Sequence, residues 1–183
     1  MAHTFTTSYL EDSLAILRQY KRLAEDAIAQ LSHEQLTVVL DPEMNSIALI
    51  VKHMAGNMRS RWTDFLTSDG EKPDRNRDSE FVEPPSTREQ IMNIWNDGWR
   101  RVFEAIEPLS EADDLQRTVT IRGEPHSVMQ AINRQVAHYA LHVGQIVFLA
   151  KHLARENWKS LSVPRNKSLD YTMRVLAGEA SQR

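Results

Sequence analysis

The chain has 183 residues and a net charge of −3, with 26% charged and 41% hydrophobic residues. That balance suits one globular domain with a sizeable core and gives no electrostatic basis for holding nucleic acid. Cysteine is absent, which excludes disulfides, cysteine-ligated zinc or iron–sulfur centres and a cysteine nucleophile, so any thiol chemistry needs a thiol brought by a second substrate.

Four amphipathic helices are predicted in chain order. The first spans about Thr7 to Leu31, where Leu10, Leu14, Leu17, Tyr20, Leu23, Ala24 and Ile28 recur every three or four positions. Ser32 and the segment to Pro42 close it. The second spans about Ser46 to Thr67, with Asn45 as the expected N-cap and Ile47, Ile50, Val51, Met54, Met58, Trp62 and Phe65 as its stripe. The third spans about Thr87 to Ile106, bounded by Pro84, Pro85 and Pro108, with Ile91, Ile94, Trp95, Val102, Phe103 and Ile106 inward. Before the fourth, Thr118-Val-Thr-Ile121 is β-prone and Arg122-Gly-Glu-Pro125 reads as a turn, so a short hairpin is expected. The fourth spans Val128 to about Arg155. Ser127 and Gln130 match a capping box, and Ile132, Tyr139, Val143, Ile146, Leu149, Ala150 and Leu153 form the stripe. A short helix is expected near Ser168 to Ala177.

This pattern reads as an all-α, single domain over 1–183: a four-helix bundle with long loops. The link from about Ser68 to Ser86 is long enough, at about 3.3 Å per residue, to let the second and third helices run parallel, giving up-down-down-up. It is too long for an idle connection and is expected to fold over a pocket mouth. No apolar run approaches the roughly 20 residues that span a bilayer, and the first residues lack the pattern of a signal peptide. The expectation is a cytoplasmic protein with neither a membrane nor a nucleic-acid partner.

Three of the 7 histidines invite a geometric test. His138 and His142 lie four apart on the fourth helix and project from one face. Measured from Ile146, His142 falls about 40° away and His138 about 80° away, with Gln135 nearby. His53 on the second helix sits about 120° from its stripe centre, a poorer core position, with Asn57 and Arg61 on the same flank. Three imidazoles on a divalent ion leave a coordination position open for a substrate. By itself a helical His-x-x-x-His pair is weakly specific, and a satisfied pair of core histidines is its commoner origin. His3, His33, His126 and His152 read as loop or surface residues, with His126 near enough to the fourth helix to approach a pocket. Trp62 and Trp95 read as core. Trp99 and Trp158 are candidates for a pocket or an interface.

Ile50-Val-Lys-His-Met-Ala-Gly-Asn57, taken with Gln135-Val-Ala-His-Tyr-Ala-Leu-His-Val-Gly-Gln-Ile146, resembles the DinB/YfiT-like superfamily. The resemblance covers all four helices, and the loop from Trp62 to Asp78 resembles a subgroup of unknown function. It implies a four-helix bundle of up-down-down-up topology, usually dimeric. It also implies a metal site from one histidine on the second helix and a His-x-x-x-His on the fourth, here His53, His138 and His142. Superfamily members include metal-dependent transferases that use low-molecular-weight thiols, and stress-induced proteins without assigned activity.

The resemblance and the residues together point to a transferase that joins a small thiol to an electrophile. Its cofactor would be a divalent ion, zinc or nickel, and Asn57, Arg61 and Gln135 are candidates to orient ligands in the pocket. Arg75 or Arg77 is a candidate to grip a substrate carboxylate, although pairing with Asp74, Asp78 and Glu80 on a solvated loop is the simpler role. Two alternatives stand beside it. One is a hydrolase using water at the same ion, for which Glu71 or Asp78 would have to act as base. The other is a metal-stabilised dimeric scaffold without catalysis.

Overall fold

The computed structural model describes residues 5–180, and each long helix in it begins where the sequence supplies an acceptor for the first free amides. Helix α1 (Tyr9–Ile28) starts at Ser8, whose hydroxyl accepts from the Glu11 amide. A single turn, α2 (His33–Leu36), is closed by a Ser32–Gln35 capping box. Helix α3 (Ile47–Trp62) starts at Ser46, which accepts from the Leu49 amide, so the cap is Ser46 and not Asn45. Thr87 caps α4 (Arg88–Ile106), and Ser127 with Gln130 forms the expected capping box of α5 (Val128–Ala154). Helix α6 (Ser168–Leu176) follows near the C-terminus.

The molecule is mostly helical, with one small two-stranded antiparallel sheet. Strands β1 (Thr118–Ile121) and β2 (Glu124–Ser127) pair with Thr118 opposite Ser127 and Ile121 opposite Glu124. Arg122 and Gly123 alone make the turn, both at positive φ (57° and 76°), as a type I′ hairpin demands. Glu124 and Pro125, expected in the turn, belong to the strand.

Two other expectations are corrected. The linker after α1 holds the short helix α2, whose one-turn capping box is too brief to show a periodic stripe. The second long helix ends at Trp62 instead of about Thr67. Thr63 is extended, and Asp64 takes φ 48°. That turn folds Phe65 back against the Trp62 ring, with centroids 4.8 Å apart.

Helices α1 and α5 lie side by side with like ends matched. Tyr9 Oη donates to Asn133 Oδ1 at 2.8 Å near their starts, and Gln35 Nε2 donates to the Leu153 carbonyl at 2.8 Å near their ends. Between α1 and α4 unlike ends meet: the Leu10 amide donates to Glu111, just past α4, at 2.7 Å, and Arg88 donates to the Ile28 and Leu31 carbonyls. Helix α4 approaches α3 closely at Gly98, where an added Cβ would lie 2.9 Å from Met58 Sδ. The core contains Leu17, Met54, Met58, Ile91, Trp95 and Trp99, all inaccessible to solvent. Each such aliphatic or aromatic burial contributes roughly 1.5–3 kcal/mol. Trp99 is therefore core and not a pocket or interface residue, whereas Trp158 packs on the core's edge. Among the described residues, no helix is long and apolar enough to cross a membrane.

Helices α3 and α5 are joined through one buried phenol. Trp62 Nε1 donates to Tyr139 Oη at 2.8 Å, and Tyr139 Oη donates to Asn57 Oδ1 at 3.2 Å. Burial pushes the Tyr139 hydroxyl above its ordinary pKa, so it stays a neutral donor. Tyr139→Phe leaves a buried donor and a buried acceptor without this partner. It is expected to lower stability by about 1–3 kcal/mol, read as a lower urea midpoint at unchanged slope.

Candidate metal centre

Three imidazoles from two helices converge where α3 faces α5. His138 Nε2 lies 3.4 Å from His53 Nε2 and 3.1 Å from His142 Nε2. One ligand atom from each ring falls within 4.8 Å of the other two. A tetrahedral ion bound at about 2.0–2.1 Å places its nitrogen ligands about 3.3 Å apart. Two of the three separations match those of ligands on one ion, and the group could hold a metal ion. Burial holds the His138 ring down at about 3, with charge on His142 and His53 adding to the effect. Burial also lowers His142, although its hydrogen bond with Gln145 opposes this. Both rings thus keep their lone pairs at neutral pH, as metal ligands must.

The burial order differs from the helical-wheel expectation. His53, placed far from its stripe, is only 4% exposed, whereas His142 is half-buried. Helix α3 is covered on more than one side, by α4, by α5 and by the link that follows it, so its flank is interior. The 3₁₀ turn Asp78–Phe81 in that link lies on α3. Phe81 stacks on the His53 ring with centroids 4.7 Å apart.

From the same turn comes a residue the sequence reading used only as a partner for arginine. The buried Glu80 carboxylate sits 2.8 Å from His53 Nδ1. Arg75 grips it bidentately, Nε to Oε1 at 2.8 Å and Nη2 to Oε2 at 2.9 Å. Burial acts to raise the Glu80 pKa, but hydrogen bonds from His53 and Arg75 and the charge of Arg75 outweigh it, so the carboxyl stays ionised. A carboxylate behind one ring nitrogen selects the tautomer that presents the other nitrogen to an ion. His142 Nδ1 has a partner in Gln145 Oε1 at 2.9 Å, while His138 Nδ1 is buried with none.

Residues 4–167 match the sequence profile of a family described as Protein of unknown function (DUF1572). The chain belongs to the DUF1572 family. No curated protein matches it.

In this DUF1572 chain the histidines line an open cleft of about 520 Å³, with Asn57, Arg61 and Gln135 on its walls. All three candidate pocket residues are thus brought to the site. Asn57 is committed to Tyr139. Arg61 is largely buried, donating to the Gly70 carbonyl and to Glu71 Oε2, the latter at 2.9 Å. Gln135 is buried with its Oε1 unpartnered. Arg75 is not free to hold a substrate carboxylate, because Glu80 and Glu71 occupy its guanidinium. Glu71 is not free to act as a base, since Arg61, Arg75 and Arg122 surround it. Asp78 is exposed, and neither it nor His126 is among the cleft's lining residues. His33 is half-buried, His152 is exposed, and His3 lies outside the described residues.

The residue link expected over the pocket mouth forms a wall of the cleft through Arg75, Arg77 and Phe81. Its first turn is fastened to the hairpin. The Asp69 carboxylate accepts from the amides of Glu71, Arg122 and Gly123 at 2.7–2.8 Å. Those backbone donors, Glu71 and Gly123 foremost, hold its pKa at about 2. The Gly70 amide donates to the Thr120 carbonyl at 2.8 Å.

Gly56 is what lets Glu80 reach the ring. A Cβ built there would lie 2.7 Å from the Glu80 Cδ, and the clamped carboxylate has little room to retreat. Gly56→Ala and Glu80→Gln are both expected to weaken zinc binding about 10- to 100-fold, measured by competition with a chromophoric chelator, while circular dichroism stays helical. A second expectation concerns acid. In the metal-free protein the folded-state pKa values of His138 and His142 lie below the ordinary value of 6.5. The unfolded chain then binds more protons, so stability is complete above about pH 6.5 and declines as pH falls. Thermal midpoints of metal-free protein should drop between pH 6.5 and 5, and the drop should flatten in a His138→Gln, His142→Gln double variant.

Proposed function

We propose that this DUF1572 chain is a metal-dependent enzyme, a transferase that joins a low-molecular-weight thiol to an electrophile. In this reading the four long helices form an up-down-down-up bundle of the DinB/YfiT-like kind. The matched ends of α1 and α5 and the opposed ends of α1 and α4 support that arrangement. His53, His138 and His142 are the metal ligands. The observation that carries the reading is their convergence on the wall of an open cleft to which, among the described residues, no carboxylate contributes a free oxygen.

Zinc or nickel held there would lower the pKa of a thiol so that it reacts as the thiolate near neutral pH. The protein's own groups do the rest. Glu80 orients the His53 ring, Asn57 is fixed by Tyr139, and Gln135 offers an unpaired amide oxygen to a ligand donor. The sulfur bonds to the electrophilic carbon, the leaving group departs with its electron pair, and the thiol proton passes to solvent. Hydrolysis is the weaker reading because Glu80, bonded to His53, and Glu71 are both tied to arginines and Asp78 lies outside the cleft, so water would lack a protein base. The thiol comes wholly from the cosubstrate, in keeping with the cysteine-free chain.

The same reading makes the molecule a cytoplasmic homodimer. Leu141 and Phe148, 61% and 70% exposed on the outer side of α5, offer an apolar face for the contact. The test joins metal content to activity. Protein purified without added metal should carry one ion per chain. His138→Ala should lose it, with affinity falling by more than the roughly 100-fold that an outer-shell change costs. Zinc- or nickel-loaded protein should conjugate 2-mercaptoethanol or cysteine to 1-chloro-2,4-dinitrobenzene and stop when chelated. Equal metal content in both proteins removes His138 from the site, and conjugation unaffected by chelation removes the mechanism.

A further inference from the structure

The cleft beside the histidines is lined by five guanidiniums, those of Arg61, Arg75, Arg77, Arg122 and Arg134. Two buried or half-buried carboxylates, Glu71 and Glu80, answer them. Arg75 and the Nη1 of Arg61 donate to these acids and to the Gly70 carbonyl, while Arg61 Nε is buried without a partner. Arg122 is a third cation on Glu71, at 3.4 Å and with 59% of its side chain exposed. Arg77 lies over the Phe81 ring at 5.0 Å, leaving its N–H edge unclaimed. Arg134 is exposed on α5. Among the described residues, neither Arg77 nor Arg134 is paired with a carboxylate.

The position of Arg134 gives this excess a direction. Arg134, His138 and His142 stand at successive four-residue steps, so all three leave α5 on one face. Arg122, in the hairpin turn, lines the same cleft. Gln135 adds a buried oxygen with no protein partner on the intervening wall. A ligand that touches the ion site therefore meets the Arg134 guanidinium about one helical turn away, in a cleft that Arg122 and Arg77 also line. Guanidiniums match carboxylate and phosphate oxygens bidentately, and a concave low-dielectric wall strengthens the attraction.

We infer that the cleft binds an oxyanion, a carboxylate or a phosphate, between Arg134 and Arg122, with Arg77 as a third donor. The substrate or cosubstrate of this DUF1572 chain is thus an anion whose charged group lies about one helical turn from its reacting end. The inference uses the metal reading only for that reacting end. The oxyanion site itself needs no ion.

Inorganic phosphate and succinate are the probes. Each is titrated into zinc-loaded and into metal-free protein, and binding is followed by amide and arginine Nε–H resonances in ¹H–¹⁵N spectra. Saturable shifts at Arg134, Arg122 and the α5 residues around His138 are expected in both forms, weakening as salt is raised. Arg134→Gln and Arg122→Gln should each lower the affinity about threefold, and the double variant about tenfold, as for partly exposed ion pairs. Arg100→Gln, a variant of an exposed and already paired arginine on α4, should leave it unchanged. Tighter binding of succinate assigns the site to carboxylates, and tighter binding of phosphate assigns it to phosphoryl groups. Binding that requires zinc and ignores both cleft variants places the anion on the ion and overturns the inference. So does the absence of saturable shifts in both forms. Should zinc fail to load, the metal reading falls while the metal-free titration still decides this one.

Discussion

One carboxylate joins the loop to the helices. Glu80 sits in the space left by the missing side chain of Gly56, held on one side by Arg75 and bonded on the other to His53. A buried acid is costly unless its charge is met, and here a bidentate guanidinium and a ring N–H meet it. The contact fixes the His53 ring, brings Phe81 onto it, and sets the 3₁₀ turn against α3. Removing Arg75 would leave the Glu80 charge unmet in the interior, whereas Arg75 without Glu80 would keep Glu71 as a partner. The shape of the cleft therefore follows from this polar contact as much as from the apolar core beneath it.

The core does a different task. It holds α3 and α5 at a fixed separation, and the Trp62–Tyr139–Asn57 chain keys their rotation. His53 is four residues before Asn57, and His138 adjoins Tyr139. A slip of either helix that disturbed the phenol would also part the imidazoles. Packing and site geometry are thus set by the same few residues, while charge arrives on the periphery from the hairpin, the loop and the exposed flank of α5.

Much of this was legible in the sequence, and the limits have physical causes. Periodic stripes located the long helices because burial on one side imposes a repeat. Ser127 and Gln130 marked the start of α5 because a capping box has fixed spacing. His138 and His142 were legible as a pair because four residues nearly complete one turn. His53 was undervalued by its angle, since a helical wheel assumes one buried side and α3 is covered on several. Glu80 was not legible as a supporting group: it lies 27 residues from His53 in an aperiodic loop, and only the folded path brings them together. Arg75 was legible as a partner of Glu80, but its burial and its second acid, Glu71, were not, because both are set by the loop's path. Asn45 and Ser46 are neighbours with equal capping chemistry, and the backbone alone chose between them.

The link over α3 is attached by means unlike those that hold the helices. Between residues 69 and 82 only Gly70 and Glu80 are buried, and the attachments to the rest of the molecule are mostly polar: Asp69 to the hairpin amides, Gly70 to Thr120, Ser60 and Arg61, Glu71 to Arg61, and Glu80 to His53. Few apolar groups leave water there, so detaching this segment exposes little hydrocarbon. The amides of α5 around Tyr139 open only when the hydrophobic interior does. Hydrogen exchange would accordingly divide the pocket into two tiers, a slow floor bearing two of the three imidazoles and a faster wall bearing the group that steadies the third. The wall that steadies His53 is then governed by local opening energetics, separately from the global stability of the chain.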